Sequence, residues 1–208
     1  TQRFYDELLA PGAGVVVPYG VDFDEIARFR DGVDRDELRA ELGIGPDTRA
    51  LLCMGTIEPR KGQLNLAEAF GHSAELRDKD LQLIFVGAVP GRPYADALAD
   101  YVDGLADERI RVEPVQPEIQ RWYHAADVLV CASDVESLPR SMLEAMAFGR
   151  PVASTAVFGI PELVEDGVSG FLCPDRDLSA LRAMLERVDG TDADELTAMG
   201  LRAREVAT

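Results

Sequence analysis

Residues 127–151 read DVLVCASDVESLPRSMLEAMAFGRP. The run Asp127–Ala132 is continuously apolar after its first residue, as in a strand covered on both faces. Pro139 has no N–H to leave unpaired and suits the first turn of a helix, which Met142, Leu143, Ala145 and Met146 continue. The stretch therefore predicts strand, short loop, helix. Glu136 falls in the loop, and Glu144 lies about five residues inside the helix, roughly 7 Å along the axis at 1.5 Å per residue. First-turn N–H groups between the two acids favour an anion. Hydroxyls at both ends of a ligand with phosphate between them, as in a nucleotide-sugar, would match that order of groups. The competing reading is that each glutamate only complements the helix dipole or caps the helix start.

Toward the N-terminus the same pattern recurs. Arg49–Gly55 reads as a buried parallel strand, followed by the loop Thr56–Arg60 and a helix from Lys61-Gly62 to about Leu76, with apolar positions at Leu64, Leu66, Ala67, Ala69 and Phe70. A strand, a Gly/Pro loop and cations at a helix start make a candidate phosphate site, although such a pair of cations is often only solvated decoration. Leu81–Gly87 is the next strand and ends in a glycine where backbone can approach a ligand. A helix over Tyr94–Ala106, a strand over Arg109–Val112 and a helix over Ile119–Ala126 follow. In the last of these, Trp122 and Tyr123 are expected in the core and His124 as a surface or satisfied core group.

Ahead of this unit the sequence predicts a short helix within residues 1–12, a turn at Pro11-Gly12, a strand Val15–Val17 and a loop Pro18–Asp22. Two short helices come next, Asp24–Arg28 and Arg35–Leu42, the second stopped by Gly43, their charges read as a solvated face. Beyond residue 151 come a strand Pro151–Ser154, a short helix from Phe158 to Val164, a turn at Asp166-Gly167, a strand Gly170–Cys173 and two helices, Leu178–Val188 and Ala193–Val206. No internal repeat, low-complexity tract or linker interrupts the chain.

Strands alternating with helices predict an α/β fold with a doubly wound parallel sheet, whose ligands bind beyond the carboxyl ends of the strands. The 208 residues suffice for one domain, with 47% hydrophobic and 28% charged residues. The formal charge of -17 disfavours nucleic acid and anionic membrane as partners. No apolar run reaches a membrane span and residues 1–6 are not a signal peptide, so the expected location is cytoplasmic. Cys53, Cys131 and Cys173 each sit in a strand-like run and are expected as reduced core thiols, not as metal ligands. No G-x-G-x-x-G is present, which weakens a dehydrogenase reading.

The two acids and their context, E-S-L-P-R-S-M-L-E-A-M-A-F-G-R-P-V, resemble the Glu-x7-Glu donor signature of retaining glycosyltransferases of group 1 with the GT-B fold. The loop Gly55–Gly62 is similar to that family's G-R-x-x-x-x-K-G, with Thr56 at the arginine position. Either Arg60 supplies the missing charge or the Thr56 hydroxyl donates a single, weaker hydrogen bond. Tyr19 stands for Asn in a segment like the family's I-P-N-G-V-D, and Phe158 replaces the first glycine of its G-G-x-P-E tail. The usual G-F-G after the first acid is here Ser137-Leu138-Pro139, whose proline deletes one N–H donor.

The resemblance implies that residues 1–208 form a Rossmann-like domain binding a nucleotide-diphosphate sugar, one half of a GT-B architecture whose N-terminal acceptor domain is absent from this chain. It implies that Lys61 holds the diphosphate, helped by Arg60 or Thr56, that Glu136 contacts the transferred sugar and that Glu144 receives the ribose hydroxyls. Gly55, Ser137, Leu138 and Arg140 complete the donor-binding set, with backbone near Val115 gripping the base. It also implies retention of anomeric configuration without metal or other cofactor, the donor being a substrate. A non-catalytic nucleotide-sugar-binding or interaction module is the alternative. An epimerase or phosphorylase on the same architecture fits the Glu-x7-Glu context less well.

Overall fold

The computed structural model describes residues 20–89 and 91–208. The segments expected over residues 1–12 and Val15–Val17, and the loop as far as Tyr19, lie outside the described residues. The sheet has six strands: β1 Arg49–Met54, β2 Leu81–Ala88, β3 Ile110–Pro114, β4 Val128–Cys131, β5 Val152–Thr155 and β6 Gly170–Cys173. Every pair is parallel and the order is β3-β2-β1-β4-β5-β6. This is the doubly wound order expected from the alternating pattern, and it reverses direction between β1 and β4.

Helices cover both faces because the strands are apolar on both. In β1, Leu51 and Cys53 face one core with Leu83 and Phe85 of β2 and Val128 and Val130 of β4, while Ala50 and Leu52 face the other with Ile84, Val86 and Leu129. The first core is closed by α3 (Gln63–Gly71), α4 (Pro93–Leu105) and α8 (Leu178–Gly190) through Leu66, Phe70, Leu98, Leu181 and Leu185. The second is closed by α1 (Phe23–Gly32), α2 (Arg35–Glu41), α5 (Ile119–Ala125), α6 (Arg140–Ala147) and the short α7 (Ile160–Leu163) through Ile26, Leu38, Tyr123, Met142, Met146 and Ile160. The final helix, α9 (Ala193–Ala207), packs on α6 and β6. The three cysteines are buried and unpaired, and burial raises the Cys131 thiol to about 12.

Three expectations need correction. The helix expected from Lys61 to Leu76 is broken into a 3-10 turn Pro59–Lys61, a left-handed Gly62, and α3 alone. It ends at Gly71 because the His72 N–H turns back to the Glu68 and Phe70 carbonyls, and Ser73 Oγ receives the Leu76 N–H 3.3 Å away, so the chain turns while Leu76 stays buried. Pro139 is the residue before α6 instead of part of its first turn. The acids of α1 and α2 are exposed as expected, but Arg39 of α2 is not solvated: it is 3% exposed and pairs with Asp127 at 3.1 Å. The periodicity of α2 looked like surface because the partner lies far along the sequence.

Candidate functional site

The loops after β1 and β4 leave the sheet at the point where its strand order reverses, on the carboxyl rim. They are held against each other by backbone. The Asp134 N–H donates to the Arg60 carbonyl at 2.8 Å. Gly62 has φ +67°, and a Cβ there would stand 2.1 Å from the Ala132 carbonyl oxygen. Only glycine permits both that conformation and that approach. Gln63 tightens the turn from within, its Nε2 donating to the Thr56 carbonyl at 3.0 Å.

This clamp brings Lys61 to Glu136, with Nζ 2.5 Å from Oε2. Arg60 approaches the same oxygen at 3.3 Å and also pairs with Glu58 at 2.6 Å. The Glu136 carboxylate is mostly buried, its side chain 10% exposed, whereas that of Arg60 is 48% exposed. Two cations from the β1 loop thus converge on one carboxylate from the β4 loop. Of the two alternatives for the missing arginine, Arg60 stands in this cluster, whereas Thr56 is exposed.

Glu144 forms a second cluster one element further on. Tyr123 Oη of α5 donates to its Oε2 at 2.8 Å, and Arg140 Nε pairs with its Oε1 at 2.9 Å. Burial, and then the Glu144 charge and hydrogen bond, push the Tyr123 pKa well above its ordinary value, so the phenol stays a donor. Beside this carboxylate is a recess of about 70 Å³, lined also by Val21, Ile119 and Phe148. No hydrogen bond or ion pair joins the clusters of Glu136 and Glu144 among the described residues. Between them runs the start of α6, which has no side-chain cap, with Ser137 and Arg140 exposed and Leu138 half-buried.

The remaining predicted residues occupy the same rim. Gly55 follows β1 and its N–H donates to the Val86 carbonyl at 2.9 Å. Val115 follows β3, 62% exposed, its N–H on the Ala88 carbonyl at 3.1 Å. Sequence reading placed Tyr123 in the core, which is correct for its ring, but missed its hydroxyl on Glu144. The signal was Tyr123 beside Trp122 in a segment read as core, where a buried phenol needs an acceptor. His124 is buried as a core group, with Nε2 3.0 Å from the Val33 carbonyl. Among the described residues no group of three or more His, Cys, Asp or Glu is arranged to hold a metal ion, and no helix is long and apolar enough to cross a membrane.

The family model "Glycosyl transferases group 1" matches residues 48–188, a span that begins just before β1 and ends in α8, and so contains both clusters. The chain belongs to this family. Among its relatives, the D-inositol 3-phosphate glycosyltransferase of Geodermatophilus obscurus is 40% identical over 191 residues, covering 85% of this chain and 41% of that protein. The chain thus spans less than half the length of this relative. The structure of Anabaena Alr3699/HepE in complex with UDP and glucose superposes with a TM-score of 0.78 at 24% identity, covering 93% of this chain and 51% of that one. The C-terminal domain of the group 1 protein LpcC from Francisella tularensis gives 0.72 at 24% identity, covering 83% of this chain and 90% of that domain. These likenesses establish the Rossmann-like α/β fold, which corresponds to the C-terminal domain of LpcC and to about half of the HepE chain.

Proposed function

We propose that residues 1–208 are the donor half of a retaining glycosyltransferase, which binds a nucleotide-diphosphate sugar on the carboxyl rim and completes its active site with an N-terminal acceptor domain. The observation that carries this reading is the meeting of Lys61 and Arg60 with Glu136 across the two loops where the strand order reverses. Family membership supports glycosyl transfer, as does the name of the Geodermatophilus relative; UDP and glucose in the HepE complex support the ligand class.

The chemistry follows from charge. A diphosphate entering the rim competes with Glu136 for Lys61 and Arg60, because it carries more negative charge than one carboxylate and offers several acceptor oxygens to the two cations. Released from that pair, Glu136 is free to meet the sugar, orienting a hydroxyl or stabilising an oxocarbenium-like centre. As the glycosidic bond breaks, negative charge grows on the departing diphosphate, and Lys61 and Arg60 neutralise it where it develops. In this scheme the cations take the role a metal would have, and the reaction needs no cofactor. Glu144, held by Tyr123 and Arg140, receives the ribose hydroxyls. The uncapped start of α6 presents N–H groups to the phosphates, one fewer than a G-F-G loop because of Pro139. The backbone at Val115 and Gly55 borders the base and diphosphate, and the half-buried Leu138 lies against the sugar.

Calorimetry with uridine and guanosine diphosphate sugars tests the assignment. Lys61→Ala and Glu144→Ala are each expected to weaken binding by about 1–3 kcal/mol, the scale of a lost hydrogen bond to a charged group. Unchanged affinity in both variants removes the site. Binding without turnover by the complete protein would instead establish the non-catalytic module.

A further inference from the structure

At the opposite edge of the sheet, ahead of β1, β4 and β5, lies a cavity of about 370 Å³ bordered by Arg35, Arg39, Arg49, Arg150, Asp47 and Asp127. Four guanidinium groups thus face two carboxylates, in a chain whose formal charge is -17. The arginines are held mainly by neutral carbonyls. Arg35 Nε donates to His124 at 3.0 Å, and its Nη2 to Ala125 and Ala126 at 3.1 Å. Arg150 donates to Tyr123 at 3.2 Å and His124 at 2.8 Å, and Arg39 to Ala125 at 2.7 Å. Arg49 is tied to the end of α8 through Val188 at 2.5 Å and Asp189 at 2.6 Å.

The carbonyls fix where the cations stand without cancelling their charge. Arg35, Arg39 and Arg150 converge on the end of α5, which supplies at most about half a negative charge. Asp127 adds one full charge and spends it on Arg35 at 2.6 Å and Arg39 at 3.1 Å. Asp47 is exposed and joins no ion pair among the described residues. A positive surplus is left over. Arg39, 3% exposed, also keeps its Nε without a partner, and Arg150 Nη1 and Arg35 Nη1 carry no hydrogen bond among the described residues. Consistent with the crowding, burial and the neighbouring Arg35 and Arg39 bring the Arg150 pKa down to about 9.

We propose that this cavity is a second anion site, which takes a phosphate group, either orthophosphate or the phosphate of a small soluble monoester, on the free guanidinium edges of Arg35 and Arg150. It is separate from the rim of Lys61 and Glu136, since it lies at the amino ends of the strands whose carboxyl ends carry that rim. The inference does not depend on the reaction proposed above.

Titration calorimetry of the chain with orthophosphate and with glycerol 3-phosphate, in chloride buffer, tests it. Thr197 is exposed at the mouth of the cavity, outside the arginine cluster. Thr197→Glu is expected to weaken phosphate binding by about tenfold, and Asp47→Asn to strengthen it severalfold, by removing repulsion at the mouth. Lys61→Ala is expected to leave it unchanged. Arg150→Gln, checked for folding by circular dichroism, is expected to lose it. Tighter binding of glycerol 3-phosphate assigns the site to phosphate esters, binding of orthophosphate alone assigns it to the free ion, and equal binding shows that the phosphate group alone is recognised. No heat with either probe titrated to about 10 mM, a Kd worth less than about 4 kcal/mol, overturns the proposal. So does binding that Lys61→Ala abolishes and Thr197→Glu leaves intact.

Discussion

Tyr123 is the residue through which the core reaches the rim. Its ring stacks on Phe148 with centroids 5.9 Å apart, and its hydroxyl ends on Glu144. Tyr123→Phe keeps the ring and removes only the donor. Donor affinity is then expected to fall by about 0.5–1.5 kcal/mol, the net worth of a typical hydrogen bond. That is less than for Glu144→Ala, because Arg140 still holds the carboxylate; a loss as large as that of Glu144→Ala in the same calorimetry contradicts the orienting role. Phe158 presents a different residue-scale problem. It sits at φ +47° and is 59% exposed. A bulky side chain in the left-handed region is strained and here gains no burial in return. Phe158→Gly is expected to raise the unfolding free energy by about 1 kcal/mol in urea titration, the gain from relieving that strain being partly offset by the greater freedom of glycine when unfolded.

At the scale of elements, the rim depends on two close approaches between loops and strand ends. Gly62 carries the first, against Ala132. Gly87 carries the second: at φ +128°, its Cβ would stand 2.2 Å from the Gly55 carbonyl oxygen, so β1 and β2 end side by side. Gly62→Ala forces backbone against backbone, which no rotamer relieves, and must also hold alanine in a left-handed conformation. The expected cost is at least about 2 kcal/mol of stability, above the usual range of surface substitutions. Lys61 would move away from Glu136 with it, so donor binding falls alongside. A Gly62→Ala variant with the parent's midpoint in urea and unchanged donor affinity shows that the loops can part freely.

For the whole molecule, stability depends on pH through groups at the amino edge of the sheet. Burial by itself would raise the Asp127 pKa, but Arg35, the Ala50 amide and Arg39 together hold it below 3.8. The contribution of this carboxylate is therefore complete above pH 3.8 and is lost as pH falls through the lower folded value. His124 is shifted the same way for another reason: burial, then Arg150, Arg35 and Arg30, lower its pKa from 6.5, against the opposing pull of the Val33 carbonyl. Below pH 6.5 the unfolded chain takes up a proton that the folded chain refuses, so stability declines from there downward. Urea midpoints measured from pH 8 to pH 3 are expected to fall in both windows. Asp127→Asn is expected to cost about 3 kcal/mol at pH 7, since it strands the Arg35 and Arg39 charges, and to flatten the lower limb. An acid limb of the same steepness in that variant assigns it to other carboxylates.

The strand, loop and helix order was legible because continuous apolar runs and punctuating Gly and Pro are local signals, and they carried through to six parallel strands in doubly wound order. The acids and cations of the rim carried only a weak local signal each, and Glu136, Lys61 and Glu144 were singled out without coordinates because their spacing and context resemble a family signature. Tertiary structure decided what those charges do to one another. Lys61 and Glu136 are 75 positions apart and meet only because β1 and β4 are neighbours. Arg39 and Asp127 are 88 apart, and their pairing takes an arginine expected on a solvated helix face into the interior. Periodicity records which side chains shun water, whereas the choice of partner for a charge depends on strand order, and strand order is a property of the packed chain.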